Sequence, residues 1–458
     1  MTAVRGLAGS ECQIRFTSRN NHPAPMSTVD PALCVDAVSP AEVRPTGKRP
    51  FIAYYLVRIG AALALVAFFS FCIMWVQWQM AAPGVSIVSG DFVSFWTAGQ
   101  LALAGRAVDA YNEVAHFFTE LALDHDPDWG YFAFFYPPYF LFICAGLALL
   151  AYFPALCLWL AATCALYAAA LRALVPKGLH GRESVWVLFL GFPAVMVNAG
   201  FGQNGFLSAA LFGGAALWLD SRPALAGLCL GLLSYKPQLG IVVPLALAAA
   251  QRWRCFGAAA ATVMVLAAAA TLAFGSQVWP AFLADTTEAR HNWMEAYNPL
   301  YLRYLVSVFG AVRLHGGALA LAYTLQAMTS VTAIYMLLRA LLQRPSGARS
   351  GRAEIAAIAA CVPFCSPFLL EYDLVILAVP MLWLLTEGLR DGFRRGEGIA
   401  VIAAFFAPGL FKLTLFDDAM KFSVIAAAAL LLAAVLRRMT EEPPNPPVGN
   451  IALTKPTG

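Results

Sequence analysis

Residues 51–78 read FIAYYLVRIGAALALVAFFSFCIMWVQW. An α-helix rises about 1.5 Å per residue and a bilayer core is about 30 Å thick, so about 20 apolar residues span it. This run is longer than that, and many others follow it. Of the 458 residues, 60% are hydrophobic and 12% are charged. Soluble domains carry about 25% charged residues, so a water-surrounded core does not account for so many apolar runs. The reading is an all-α, polytopic integral membrane protein embedded in a lipid bilayer. The net charge of +4 is small, and the bases lie in short loops between apolar runs. That pattern carries topology and gives no reason to expect a nucleic-acid partner.

Outward from this span, residues 1–49 are polar, Pro-rich and end in Lys48-Arg49. They lack the apolar core of a signal peptide. They are expected to form a disordered cytoplasmic tail, with Met26 as a second candidate start. Residues 50–438 are expected to form the membrane domain and 439–458 a second disordered cytoplasmic tail. The bases before residue 51 place the N-terminus in the cytoplasm. Residues 79–133 are then extracytoplasmic, with Asp91, Asp109, Glu113, Glu120, Asp124, Asp126 and Asp128 against one base, Arg106. Helical periodicity in the middle of this loop predicts one or two short helices at the membrane surface. A second extracytoplasmic loop is expected over 276–315.

Basic loops at Arg252/Arg254, Arg339–Arg352, Arg390–Arg395 and Arg437-Arg438 fall on one side if each apolar run crosses. The turn at Asp417-Asp418 falls on the other, with Asp91. Charge puts the loops 79–133 and 172–183 on opposite faces, yet residues 134–174 read as two helices broken near Tyr152-Phe153-Pro154. Either one of the two is partial or re-entrant, or the charge assignment of 172–183 is wrong. The expectation is about 11 to 13 spanning or re-entrant helices. Runs 223–235 and 237–250 are too short to span and meet at Lys236-Pro237. Broken helices are tolerated in membranes where they line a cavity. No internal repeat is visible. The ten cysteines form no CxxC motif. Cys361 and Cys365 can share a helix face, although small buried residues explain them as well.

Asp91 stands where the chain should leave the membrane, before Phe92, Phe95 and Trp96. A carboxylate there can take a proton from a hydroxyl, and apolar neighbours raise its pKa toward a useful value. Asp before a helical pattern is also an ordinary N-cap. The aromatics Tyr131, Phe132, Phe134, Phe135, Tyr136 and Tyr139 read as an interfacial belt, with Pro137-Pro138 as a helix start. Gly202-Gln203-Asn204-Gly205 interrupts an apolar stretch, where amides can bind hydroxyls or a carboxylate, or simply form a tight turn. Lys236 is a costly charge at membrane depth. With the N-terminus of the helix after it, Lys236 can hold a phosphate, or it can snorkel to the surface. After Ser366-Pro367, Glu371, Tyr372 and Asp373 can position sugar hydroxyls, a metal or Lys236, and equally suit the first turn of a helix. In the loop 276–315, Arg290 and His291 among aromatics suit a lipid-phosphate headgroup and a sugar acceptor, as does a plain solvated loop.

Taken in order, Asp91-Phe92 with Ala98-Gly99, Gly105 and Tyr111, then Tyr136-Pro137-Pro138, Gly202-Gln203-Asn204, Ala226-Gly227 through Lys236-Pro237, and Ser366-Pro367 with Tyr372 resemble glycosyltransferase family 87. The resemblance covers about residues 50–435. It implies a GT-C fold and an inverting transferase of the plasma membrane whose active site faces outward. The donor would be a polyprenyl-phosphate sugar, a mannose-like hexose, and the acceptor a glycolipid or cell-envelope glycan. The family's catalytic carboxylate falls on Asp91. Lys236 and Arg290 are then expected at the donor phosphate, and Gln203, Asn204, Glu371, Tyr372, Asp373 and His291 at the substrates. No metal ligands are assigned, and a divalent metal stays open. A transporter or lipid flippase would also use broken helices and an intramembrane Lys, but gives no reason for a long acidic first loop. A third class is a structural membrane protein whose polar turns only cap helices.

Overall fold

The computed structural model describes residues 51–81, 90–123, 131–344, 350–413 and 420–441. Both expected tails, Met26, Asp124, Asp126, Asp128 and Asp417-Asp418 lie outside these residues, apart from 439–441. Among the described residues all regular structure is helical, with one isolated β-bridge between Leu305 and Leu370.

Among the described residues, six helices are long and apolar enough to cross a membrane: Ala53–Gln77, Tyr152–Leu174, Trp253–Phe274, Leu319–Leu342, Glu371–Asp391 and Phe422–Thr440. A seventh span arises if Arg182–Gly191 and Pro193–Phe201, which meet at 51°, count together. The remaining apolar helices are only 10–17 residues long, among them Phe92–Leu103, Pro138–Ala148, Pro223–Tyr235 and Pro237–Ala249. Of the two helices read within 134–174, the first, Pro138–Ala148, is shorter than a full span and the second, Tyr152–Leu174, is long enough for one. The apolar window within 371–391 is 83% buried, whereas those in 53–77 and 253–274 are 11% buried. The former is therefore packed in the interior of the protein, and the latter two lie on its outside.

The region 90–123 folds against the spans. Phe92–Leu103 lies on Leu141–Ala148 so closely that a Cβ on Gly99 would overlap the Cys144 carbonyl. Only glycine permits that approach. Asn112 caps the next helix, Glu113–Leu121, accepting from the Ala115 amide at 2.9 Å. That helix buries His116 and Glu120, 3.3 Å apart, and Glu120 accepts the Phe132 amide at 3.3 Å. The segment after Asn298 is tied to the 366–370 turn: Ser307 donates to the Pro367 carbonyl at 2.5 Å and the Val306 amide to Leu369 at 2.9 Å. The eight described cysteines are free, and the Cys361 and Cys365 sulfurs lie 3.8 Å apart.

Candidate active site

Proline and glycine set the polar turn of residues 202–205. Pro193 starts the helix Pro193–Phe201, and Gly202 ends it in the left-handed region at φ 65°. The Gly202 carbonyl is fixed by Trp159 Nε1 at 3.0 Å, and the Gly205 amide by Asn198 Oδ1 at 2.6 Å. Gln203 and Asn204 are thereby held inside the protein, 2% and 0% exposed.

Gln203 reaches Asp91. Its Nε2 donates to Asp91 Oδ2 at 2.6 Å, across 112 positions of sequence. Its Oε1 accepts from the Tyr136 hydroxyl at 3.2 Å and from the Asn204 amide at 3.1 Å. Asp91 occupies the N-cap position of Phe92–Leu103 but its side chain makes no capping hydrogen bond. The capping reading of Asp91 is therefore corrected: its Oδ2 accepts from Gln203 and caps no helix amide. Asp91 is half-buried. Burial pushes its carboxyl above the ordinary range, and hydrogen bonds from Gln203 and then the charge of Lys236 and the Tyr372 hydroxyl pull against that rise.

Lys236 is 3% exposed, so it does not snorkel. Its Nζ lies 2.6 Å from Asp373 Oδ1 and 4.8 Å from the Tyr372 ring centroid. Of the partners the sequence allows for Glu371 and Asp373, Asp373 takes Lys236. Glu371 is buried beside it in the first turn of the 3-10 helix Glu371–Leu377. The helix expected after Lys236 runs over Pro237–Ala249, with Ile241 and Val242 keeping right-handed helical dihedrals between Pro237–Gly240 and Val243–Ala249.

Of the aromatics read as a belt, Phe134 and Tyr136 are buried, 0% and 8% exposed, while Tyr131, Phe132, Phe135 and Tyr139 are half-buried. Tyr136 stacks on Phe140 at 4.7 Å, Phe140 on Tyr235 at 5.1 Å, and the Tyr235 hydroxyl meets Ser208 Oγ at 2.6 Å. From the sequence, Tyr136 reads only as part of a belt and a motif, and Tyr235 and Tyr301 are given no role. The last stands within electrostatic reach of Asp91 and Asp373. For Tyr235 the available signal is its place directly before Lys236, because a buried hydroxyl needs a partner.

The expected residues divide into two groups. Asp91, Gln203, Asn204, Lys236, Tyr372 and Asp373 come together, with Glu371 buried in the same 3-10 turn as the last two. Arg290 and His291 stand on the exposed face of the 290–295 turn, where Glu295 takes them at 3.4 and 2.9 Å. Glu295 also accepts the Tyr323 hydroxyl at 2.6 Å. Among the described residues, no three His, Cys, Asp or Glu side chains gather closely enough to hold a metal ion.

Half-buried Asp91 can accept a proton from a hydroxyl, and Lys236 keeps two of its three N–H donors beyond Asp373. No curated protein and no solved structure matches the chain. The profile of glycosyltransferase family 87 matches residues 134–367. That segment is shorter than the resemblance read from the motifs and begins after Asp91, but it contains Tyr136, Gln203, Asn204, Lys236 and the Ser366-Pro367 turn. With just over half of its length inside the match, the chain belongs to glycosyltransferase family 87.

Proposed function

We propose that this glycosyltransferase moves a mannose-like hexose from a polyprenyl-phosphate donor to a glycolipid or cell-envelope glycan. The reaction runs on the extracytoplasmic face of the plasma membrane, within a GT-C fold. Asp91 is the general base. It takes the proton of an acceptor hydroxyl, whose oxygen then attacks the anomeric carbon in line as the bond to the polyprenyl phosphate breaks, so the configuration inverts. A base poised within hydrogen-bond reach supplies about 10²–10⁴-fold in rate. Lys236 meets the departing phosphate with the donors that Asp373 leaves over. Charge placed where charge develops is worth several kcal/mol. Asn204, Glu371, Tyr372 and Asp373 contact the sugar, and exposed Arg290 and His291 meet the headgroup or acceptor at the outer rim.

The observation that carries this reading is convergence. Asp91 precedes the family segment, Lys236 lies within it and Asp373 follows it, yet both charges act on Asp91. The test is transfer from a panel of labelled polyprenyl-phosphate hexoses in membranes holding the wild type or Asp91→Asn. The label should move with the wild type and not with the variant, at equal membrane content. Retained transfer by Asp91→Asn would remove Asp91 from the mechanism. Lys236→Ala should weaken donor use far more than acceptor use, and equal loss on both would count against its phosphate role.

A further inference from the structure

We infer that Gln203, expected from the sequence to bind substrate, is instead the positioning residue of Asp91, locked in orientation by Tyr136 and choosing which carboxylate oxygen faces the acceptor. This rests on Asp91 being the base.

The argument begins with the amide itself. A Gln side chain can be turned end for end, and only its partners decide which end is nitrogen. Here Oε1 receives two donors, the Tyr136 hydroxyl and the Asn204 amide. The Asn204 amide can only donate and the Asp91 carboxylate can only accept, so Oε1 must face the first and Nε2 the second, and the Tyr136 hydroxyl then donates to Oε1. Tyr136 cannot swing away, being stacked on Phe140 and edge-on to Phe95 at 5.1 Å. Gln203 is buried at the end of a helix whose turn is fixed by Trp159. With both ends of its amide engaged, the side chain has little left to offer a sugar. Its donor goes to Oδ2. The other oxygen, Oδ1, makes no bond to Gln203 and is the one assigned to the proton, with the Tyr372 hydroxyl beside the same carboxylate.

The charges around Asp91 reinforce this assignment. Lys236 attracts it and Asp373, paired with Lys236, repels it, so the two partly offset. Among the described residues, the Tyr372, Tyr136 and Tyr301 hydroxyls also face it. Of the influences favouring the ionised form, the Gln203 hydrogen bond is the largest. Removing it should raise the carboxyl's pKa and free its rotamer together.

The test uses the full chain in detergent with dicyclohexylcarbodiimide, an apolar reagent that modifies protonated carboxyls. Modification of Asp91 is followed by mass spectrometry from pH 4 to 9. Gln203→Met keeps the volume and removes the amide. Its labelling midpoint should rise by about one to two pH units, the effect of losing a hydrogen bond to a charged group. Tyr136→Phe, which leaves the Asn204 amide on Oε1, should shift it less. It serves as the second variant should Gln203→Met melt early. In the transfer assay, kcat of Gln203→Met should fall about tenfold or more and the acid limb move up with the labelling midpoint, while acceptor KM holds. Labelling curves that superimpose on the wild type for both variants overturn the inference, and lost transfer with an unmoved midpoint assigns Gln203 to substrate. The labelling needs no substrate. A midpoint that moves while the acid limb stays would instead remove Asp91 as base and leave the hydrogen bond standing.

Discussion

Asp373→Asn removes the counter-ion of a buried ammonium. Lys236 Nζ and Asp373 Oδ1 are 2.6 Å apart, with side chains 3% and 1% exposed. At that distance and an effective dielectric of about 20, the attraction is about 6 kcal/mol. Taking both ions out of water costs several kcal/mol each, so the net contribution of the intact pair is small. Breaking it is a different matter, because a charge left behind keeps its desolvation cost. Losing Asp373 alone should destabilise by about 3–5 kcal/mol. The Tyr372 ring, 4.8 Å from Nζ, can offset at most about 2 kcal/mol of this. Lys236→Met strands Asp373 in the same way, while Lys236→Met with Asp373→Asn strands no charge. The assay is thermal unfolding of the full chain in one detergent at one scan rate, across all four members of the cycle. Each single variant should melt several degrees early and the double variant later than either. Single variants that melt with the wild type, or a double variant that loses the sum of both, would refute the reasoning.

Further outcomes follow from burial and close packing. Because burial holds the Asp91 carboxyl above its ordinary range, kcat/KM should decline on acidification while still above about pH 4; a rate flat to that pH contradicts the base assignment. Asp285 is pushed up to about 7, by burial first and then by Glu288 and Glu113. The folded state therefore holds this proton more tightly than the unfolded one, and stability falls as pH rises from about 4 to 7. Asp285→Asn should raise the melting temperature at pH 8 and not at pH 5, and an equal gain at both would count against this account. Gly99→Val should cost about 1–3 kcal/mol by forcing Phe92–Leu103 off the Cys144 carbonyl, read as a lower melting temperature.

Much of the candidate site was visible as separate residues. Asp91, Gln203, Lys236 and Asp373 each interrupt apolar sequence, and a polar group at such a place demands an explanation. What could not be read was the pairing. Asp91 could cap a helix or act as a base, and Lys236 could snorkel or bind an anion, because each choice depends on what lies opposite. The Tyr136 stretch misled for a related reason. Aromatic residues beside an apolar run occur both at membrane interfaces and in cores, and composition does not separate the two.

The sequence by itself determined the class of the protein, its long spans and the breaks between them, because helix formation in lipid depends on contiguous apolar residues closing their own hydrogen bonds. Tertiary structure alone decided that Gln203 meets Asp91 across 112 positions and Lys236 meets Asp373 across 137. A lipid-facing helix is apolar on its outer side as well as its inner one, so hydropathy does not tell which side faces a neighbour. That information enters only when small residues such as Gly99 let helices close and bring buried polar groups within reach of one another.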